Sequence, residues 1–415
     1  MLFHRDILNN IEKSVKRKEI IALVGARQVG KSTILKYFYE KLKTEKSNFI
    51  CFDNLDILYM FEKNTPLFIE KYVENHDYLF IDEIQYSENS GRILKLIYDK
   101  YKIKIFISGS SKSEIAIKSL KFLVGRVFIF NIHPLDFFEI LISKNKDTFL
   151  LNKLHKSEDF KILKRDFENY LRFGGYPEII LEKDESLKKQ ILSNIKNTYF
   201  LKEVKDILGY RNVFDFENIL KTLAVRDGKI LNKNSISNDL GIHNNKIKEI
   251  IEMLEKTSIL YIIRPYLHNK SKELIKSPKN YLLDLGFKNI LINNFNKISL
   301  RQDKGEIYES FILNILIKSG FEIKYWNYKK LYEMDFVIDK GDGEIYGFEV
   351  KSKLKEPSLT NSIKRFIDEV KPKKVFVLCE NLDSKIKYKN CEILFTNHLN
   401  IYSIMKSLRP SGKKK

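Results

Sequence analysis

Apolar positions along this chain change period several times, and each change predicts an element. EIIALVGARQVGKSTILKYFYEKL, residues 19–42, begins with an unbroken apolar run, passes through two glycines and continues with apolar residues at helical spacing. That pattern predicts a strand buried on both faces, a tight turn and a helix. YLFID (78–82) and IKIFISG (103–109) repeat the buried-strand pattern. In the middle, SISNDLGIHNNKIKEIIEMLEKTSILYII (235–263) predicts a short helix over Ser235–Leu240, a turn at Gly241 and a longer helix from Asn244. Ile247, Ile250, Ile251 and Leu254 make one face of that helix, and ILYII predicts the first wing strand. Farther on, Phe311, Ile312, Ile315 and Leu316 mark a helix that Gly320 ends, and FEIKYW starts a strand. EMDFVIDKGDGEIYGFEVKSK (333–353) predicts two strands joined by a Gly-Asp-Gly turn, followed by a helix near Ser362–Val370 and the strand KVFVL.

Strands alternating with helices make the chain an α/β protein, and 415 residues are too many for one ordinary core. Three consecutive parts are expected: 1–145, 146–275 and 276–415. The hydrophobic share of 43% and aromatic share of 13% fit a globular chain. No apolar run approaches the roughly 18 residues of a membrane helix. The charged opening MLFHRDILNNIEKSVKRK does not resemble a secretion signal. The expectation is a cytosolic protein without a membrane partner. Cys51, Cys379 and Cys391 lie far apart and the seven histidines are scattered, so neither a disulfide framework nor a zinc site is expected.

The charge adds a partner class. Of the net +20, half falls on residues 276–415, which carry 27 basic and 17 acidic side chains. Such a field favours polyanions, so nucleic acid, DNA first, is the expected partner, with an Ile/Asn/Lys-heavy composition as the bland alternative.

Gly25, Ala26, Arg27, Gln28, Val29, Gly30, Lys31 and Ser32 fit the phosphate-binding pattern G-x-x-x-x-G-K-[ST], and Thr33 follows at the start of the helix. Backbone N–H groups there close around phosphates, Lys31 reaches the β- and γ-phosphates of ATP, and the Ser32 hydroxyl ligates Mg²⁺. Some fifty residues on, Asp82 ends a buried strand and is expected to hold the Mg²⁺ shell, while Glu83 polarises the attacking water. Ser110, in the SGSS run that ends the next strand, is the candidate γ-phosphate sensor, and Arg126 the candidate arginine finger.

The helix-turn-helix spacing at 235–256 is less informative. Its outward positions include Lys246 and Lys248, but also Glu249, Glu252 and Glu255, which repel phosphates. Packing or a lid is the better expectation. RFGGYPEII (172–180) predicts a sharp bend and carries no evident chemistry.

GARQVGKST, FIDEIQ, ISGSS, LVGR and HPLDFFEIL, followed by YLRFGGYPEII, YFLKEVKDI and KNYLLDLGF, occur in the order seen in AAA-type prokaryotic ATPases with a C-terminal domain of unknown function. The chain resembles that family over nearly its whole length. Where members often have Arg-Asp-Ile, it has Lys205-Asp206-Ile207. The resemblance implies an AAA-like P-loop NTPase core with a parallel sheet, a helical and winged-helix middle, and a restriction-endonuclease-like C-terminal domain. The order helix, strand, hairpin, helix, strand after residue 304 resembles the PD-(D/E)xK nuclease core. By that resemblance Glu309, Asp335 and Glu349 ligate Mg²⁺ and Lys351 orients the water; Glu349 and Lys351, two apart in a strand, point to one face. Three functions stay open: a Mg²⁺-dependent ATPase associated with nucleic acid, an ATP-gated endonuclease, and a nucleotide switch acting on an unknown protein partner. A homo-oligomer fits each.

Overall fold

The computed structural model describes residues 2–109, 122–144, 158–199, 213–267, 273, 276–341 and 343–409. It divides into two compact units that interleave along the chain: Met1–Leu135 with Tyr176–Val213 and Glu249–Ile259, and Asp136–Gly175 with Phe214–Lys248 and Leu260–Lys415. These units cross the expected boundaries at 145 and 275.

The first unit holds five strands, β1 (Ile20–Val24), β2 (Ser47–Cys51), β3 (Tyr78–Asp82), β4 (Lys104–Gly109) and β5 (Val127–Asn131). All pair in parallel, in the order β2-β3-β4-β1-β5. The unbroken apolar runs have a simple cause: β1 and most of β3 and β4 are buried, as strands of a helix-covered parallel sheet must be. On one face Ala22, Val24, Ile81 and Ile107 pack with Phe52, Phe61 and Phe68. On the other, Phe106 stacks on Phe80 at 4.6 Å and on Phe38 at 5.8 Å. The registers Val24↔Gly109, Val24↔Asn131 and Cys51↔Asp82 bring the carboxyl ends of all five strands to one edge. In an open parallel sheet that edge is where ligands bind.

The second unit is built on eight mixed strands: β6 (Leu260–Pro265), β7 (Lys279–Leu282), β8 (Ile323–Tyr328), β9 (Tyr332–Asp339), β10 (Ile345–Val350), β11 (Lys374–Leu378), β12 (Ser384–Tyr388) and β13 (Cys391–Thr396). Their order is β12-β13-β11-β10-β9-β8-β6-β7. The helix Lys304–Lys318, the antiparallel run β8-β9-β10, the helix Asn361–Val370 and β11, parallel to β10, follow the order predicted from the sequence. β6 pairs antiparallel with β7 from Leu260↔Leu282 to Ile263↔Lys279, and its end also pairs in parallel with β8 through Arg264↔Lys324 and Pro265↔Tyr325, so it joins the C-terminal sheet and residue 275 falls inside one unit. The helices Lys233–Leu240 and Asn244–Lys256 form as predicted, with Gly241 left-handed between them, and Ile247, Ile250, Ile251 and Leu254 are buried.

Three phrases of the sequence resolve into structure here. In HPLDFFEIL, Asp136 and Glu139 form a capping box: Asp136 Oδ1 accepts from the N–H groups of Phe138 and Glu139, and Glu139 Oε2 accepts from Asp136 N–H. Lys318 joins both carboxylates, at 3.1 Å from Asp136 and 2.5 Å from Glu139. In RFGGYP and KNYLLDLGF, Asp284 Oδ2 accepts from Gly175 N–H at 2.7 Å and Oδ1 from Phe287 N–H at 2.8 Å. Gly174 has φ +77°, and a Cβ there would lie 2.2 Å from Asp284 Oδ1. A Cβ at Gly286 would lie 2.0 Å from the Phe173 carbonyl oxygen. The two phrases interlock through one carboxylate, and only glycine fits where they meet.

Candidate functional site

The loop 25–30 leaves β1 at the carboxyl edge and enters the helix Lys31–Leu42, so its N–H groups and the helix terminus converge there. Gly25 is required by crowding: a Cβ would stand 2.1 Å from the Ile132 carbonyl oxygen. The Lys31 ammonium is buried and donates to the Ala26 carbonyl at 2.6 Å, within its own loop. Sequence reasoning missed Arg5. Its guanidinium is buried and donates to Val29 O and His133 O, both at 2.6 Å, pinning the loop to the chain beyond β5. No periodicity marks that residue.

Asp82 ends β3 buried, and Glu83 follows in the left-handed region at φ +56°. A non-glycine residue held there stores strain of a kind that gathers at functional sites. Glu83 N–H donates to Asp82 Oδ1 at 3.2 Å, and the Gln85 side-chain amide donates to Glu83. The hydroxyl that meets Asp82 comes from Ser108 on the adjacent strand β4. Ser110, the residue favoured from sequence, lies outside the described residues, as do Lys205, Asp206 and Ile207. The sequence signal for Ser108 was present: it stands one strand over, at the carboxyl end of IKIFIS.

Arg126, the candidate finger, stands at the start of β5. β1 and β5 run parallel, with Ile20 opposite Val127, and Arg126 O accepts from Ile20 N–H at 2.8 Å. Its side chain therefore leaves the amino edge of the sheet, about 16 Å of strand from the loop at Gly25. There it pairs with Asp99 at 2.9 Å. It does not serve the phosphate loop of its own chain.

The C-terminal candidates sit in the second unit. Glu309 lies on the helix Lys304–Lys318, Asp335 within β9 and Glu349 within β10, with Lys351 just beyond. Tyr281 O–H donates to Glu309 Oε2 at 3.2 Å, Val350 N–H donates to Asp335 Oδ2 at 2.8 Å, and the Lys351 ammonium lies 2.6 Å from Glu349 Oε1. Burial raises the pKa of Glu309 and of Glu349, with the Asp335 charge adding to each, and burial raises Asp335 too. Lys351 is held at about 12: burial opposes its charge, but Glu349 and Asp335 more than offset it.

Those carboxylates were expected to ligate a metal. Among the described residues no three Asp, Glu, His or Cys side chains converge as in a formed metal site. Their chemistry nevertheless fits a hard divalent cation, because all are oxygen donors and Glu349 Oε2 is buried without a hydrogen-bond partner. Asp284 shows what a satisfied buried carboxylate looks like: burial pushes it up to about 6, against N–H donors from Gly175, Phe287 and Gly286.

The helix-turn-helix offers little to DNA. Lys246 is tied to Asp215 at 2.5 Å, which removes one of its outward cations. Among the described residues no helix is long and apolar enough to cross a membrane.

Comparison with known proteins agrees with this geometry for the first unit's sheet. Residues 17–141 match the family model of an AAA domain. Two domains of unknown function match 164–298 (DUF8612) and 304–397 (DUF4143). An uncharacterized protein of Methanocaldococcus jannaschii is 29% identical over 94% of this chain and 90% of its own length. One of Haemophilus influenzae is 24% identical over 81% and 84%. Among solved structures, the Aeropyrum pernix ORC1 protein in complex with DNA covers 71% of this chain at 11% identity with a TM-score of 0.30, a likeness too loose to carry a functional statement.

Proposed function

We propose that the chain, which carries an AAA-type P-loop ATPase domain at residues 17–141, binds and hydrolyses ATP with Mg²⁺ and acts on nucleic acid through its C-terminal unit. The observation that carries the first half is the arrangement at the carboxyl edge: the glycine loop, Lys31, and the Asp82–Ser108 pair stand at the ends of the adjacent strands β1, β3 and β4. Lys31 exchanges the Ala26 carbonyl for the β- and γ-phosphates when nucleotide enters. Ser32 and Asp82 would hold Mg²⁺, which neutralises charge on the transferring phosphoryl. Glu83 orients the attacking water, and Gln85 holds its carboxylate. A finger role for Arg126 requires a second copy of the chain.

A second reading rests on a different observation. The unpartnered Glu349 Oε2 beside Lys351, with Asp335 buried and Glu309 half-buried nearby, supports a metal-dependent nuclease-like site on the C-terminal sheet. The basic 276–415 region would bring the polyanion to it.

The experiment is steady-state ATP turnover with and without duplex and single-stranded DNA. Stimulation by DNA supports nucleic-acid coupling. Turnover indifferent to DNA, with no binding at low salt, would favour a switch acting on a protein partner. No turnover at all in wild type would overturn the ATPase assignment.

A further inference from the structure

KNYLLDLGF is only half explained by the Asp284 interlock. Its first and third residues, Lys279 and Tyr281, stand two apart on β7 and so face one side. Tyr281 reaches Glu309, which fixes which side that is. Lys279 is buried, with 3% of its surface exposed, and its ammonium pairs with Glu333, two residues before Asp335 on β9 and on the same face. The stem passes the Tyr325 ring, with Nζ 5.6 Å from the centroid.

A buried ammonium costs several kcal/mol unless it is well paired. Glu333 alone is a weak partner, since its side chain is 39% exposed. What else holds Lys279 is visible in its pKa. Burial pulls it down, yet it stays above the ordinary lysine value, held by Glu309, Asp335 and the touching Glu333 together. Lys351 brackets the same carboxylates from β10.

We propose that Lys279 is a further member of the C-terminal carboxylate site, and that its ammonium stands in place of a second divalent cation, so that the site takes one metal ion. This rests on the metal-site reading above. Four carboxylates, Glu333 among them, against two built-in ammonium groups leave, when ionised, a charge that one divalent ion balances and a pair would exceed. Lys279 and Tyr281 thereby position Glu309 and Asp335 rather than merely filling β7.

The test is Mn²⁺ binding to the full-length protein without nucleotide, followed by electron paramagnetic resonance and calorimetry, with Glu349→Gln identifying the ions that belong to this site. Wild type should bind one Glu349-dependent Mn²⁺. Lys279→Met should gain a second or bind the first at least about tenfold more tightly, because a neighbouring positive charge is gone. Lys279→Arg, which keeps the charge, should stay at one. Two Glu349-dependent ions in wild type, or a second ion gained by Lys279→Arg, overturns the proposal, and these hold even if Lys279→Met fails to fold. A folded Lys279→Met with unchanged stoichiometry and affinity overturns it as well, while leaving the metal-site reading intact. No Glu349-dependent ion in any variant overturns both.

Discussion

Ser108 donates its hydroxyl to Asp82 across the adjacent parallel strands β4 and β3, and Asp82 spends the same Oδ1 on the N–H of Glu83. One carboxylate oxygen thus orders the start of the acidic turn, and the proposed metal contact falls to the other oxygen of Asp82. Ser108→Ala should lower ATP turnover about 10- to 100-fold with nucleotide affinity nearly kept, the usual cost of losing a group that orients a ligand. Beside it, Lys31→Ala should abolish tight ATP binding, and Glu83→Gln should bind and not hydrolyse. Turnover in Glu83→Gln at the wild-type rate would show that another group activates the water.

Gly174 is the second test. With φ +77° and Asp284 Oδ1 2.2 Å from an added Cβ, Gly174→Ala combines backbone strain with a clash against a buried carboxylate. The cost should be roughly 2–4 kcal/mol. Gly320, also left-handed at φ +83° but with nothing within 4 Å of an added Cβ, serves as the control and should cost about 1 kcal/mol. Urea melts of the two variants decide it. Equal losses would mean that the interlock adds nothing beyond backbone conformation.

Asp284 also sets a pH dependence. Burial raises its folded-state pKa to about 6, above the ordinary aspartate value, so the folded state binds the proton more tightly. Its contribution to stability is full below the unfolded pKa near 4 and is lost as pH rises through 6, a change of roughly 3 kcal/mol. Asp284→Asn keeps an acceptor for one N–H but turns an amide toward the other, a loss that does not vary with pH. Wild type should therefore lose its advantage over Asp284→Asn between pH 4 and 7. A stability difference that stays flat over that range would place the Asp284 pKa near its ordinary value.

Legibility followed chemistry that is local in sequence. The phosphate loop, Asp82-Glu83 and the order of elements after residue 304 could be read because each is a contiguous pattern with one physical meaning. LVGR places an arginine beside glycine without saying which end of β5 it leaves, and parallel pairing with β1 sends Arg126 to the far edge. Arg5 and the Gly175–Asp284 contact were silent, since each joins segments more than a hundred residues apart through a single polar group. That β6 also reaches β8 could not be read, because β8 lies some sixty residues on and nothing in ILYII names that partner.

The last test returns to EMDFVIDKGDGEIYGFEVKSK. If Glu309, Asp335 and Glu349 hold a cation and Lys351 orients water, the protein should nick DNA with Mg²⁺ or Mn²⁺. Asp335→Ala removes a ligand but also orphans the Val350 N–H that Asp335 accepts at 2.8 Å, so Asp335→Asn, which retains an acceptor there, is the cleaner variant. Both, and Lys351→Ala, should lower cleavage by about 100-fold or more while leaving ATP hydrolysis at its wild-type rate, because they alter neither the glycine loop nor Asp82. Ca²⁺ should support binding without cutting, since it fills an oxygen site with loose geometry and activates water poorly. Cleavage that survives in Lys351→Ala would belong to a contaminating enzyme. Wild-type protein that cuts no duplex, branched or single-stranded substrate with either metal, with or without ATP, would leave Glu349 Oε2 as a buried acceptor kept for the fold, and the ATPase domain as the only chemistry of the chain.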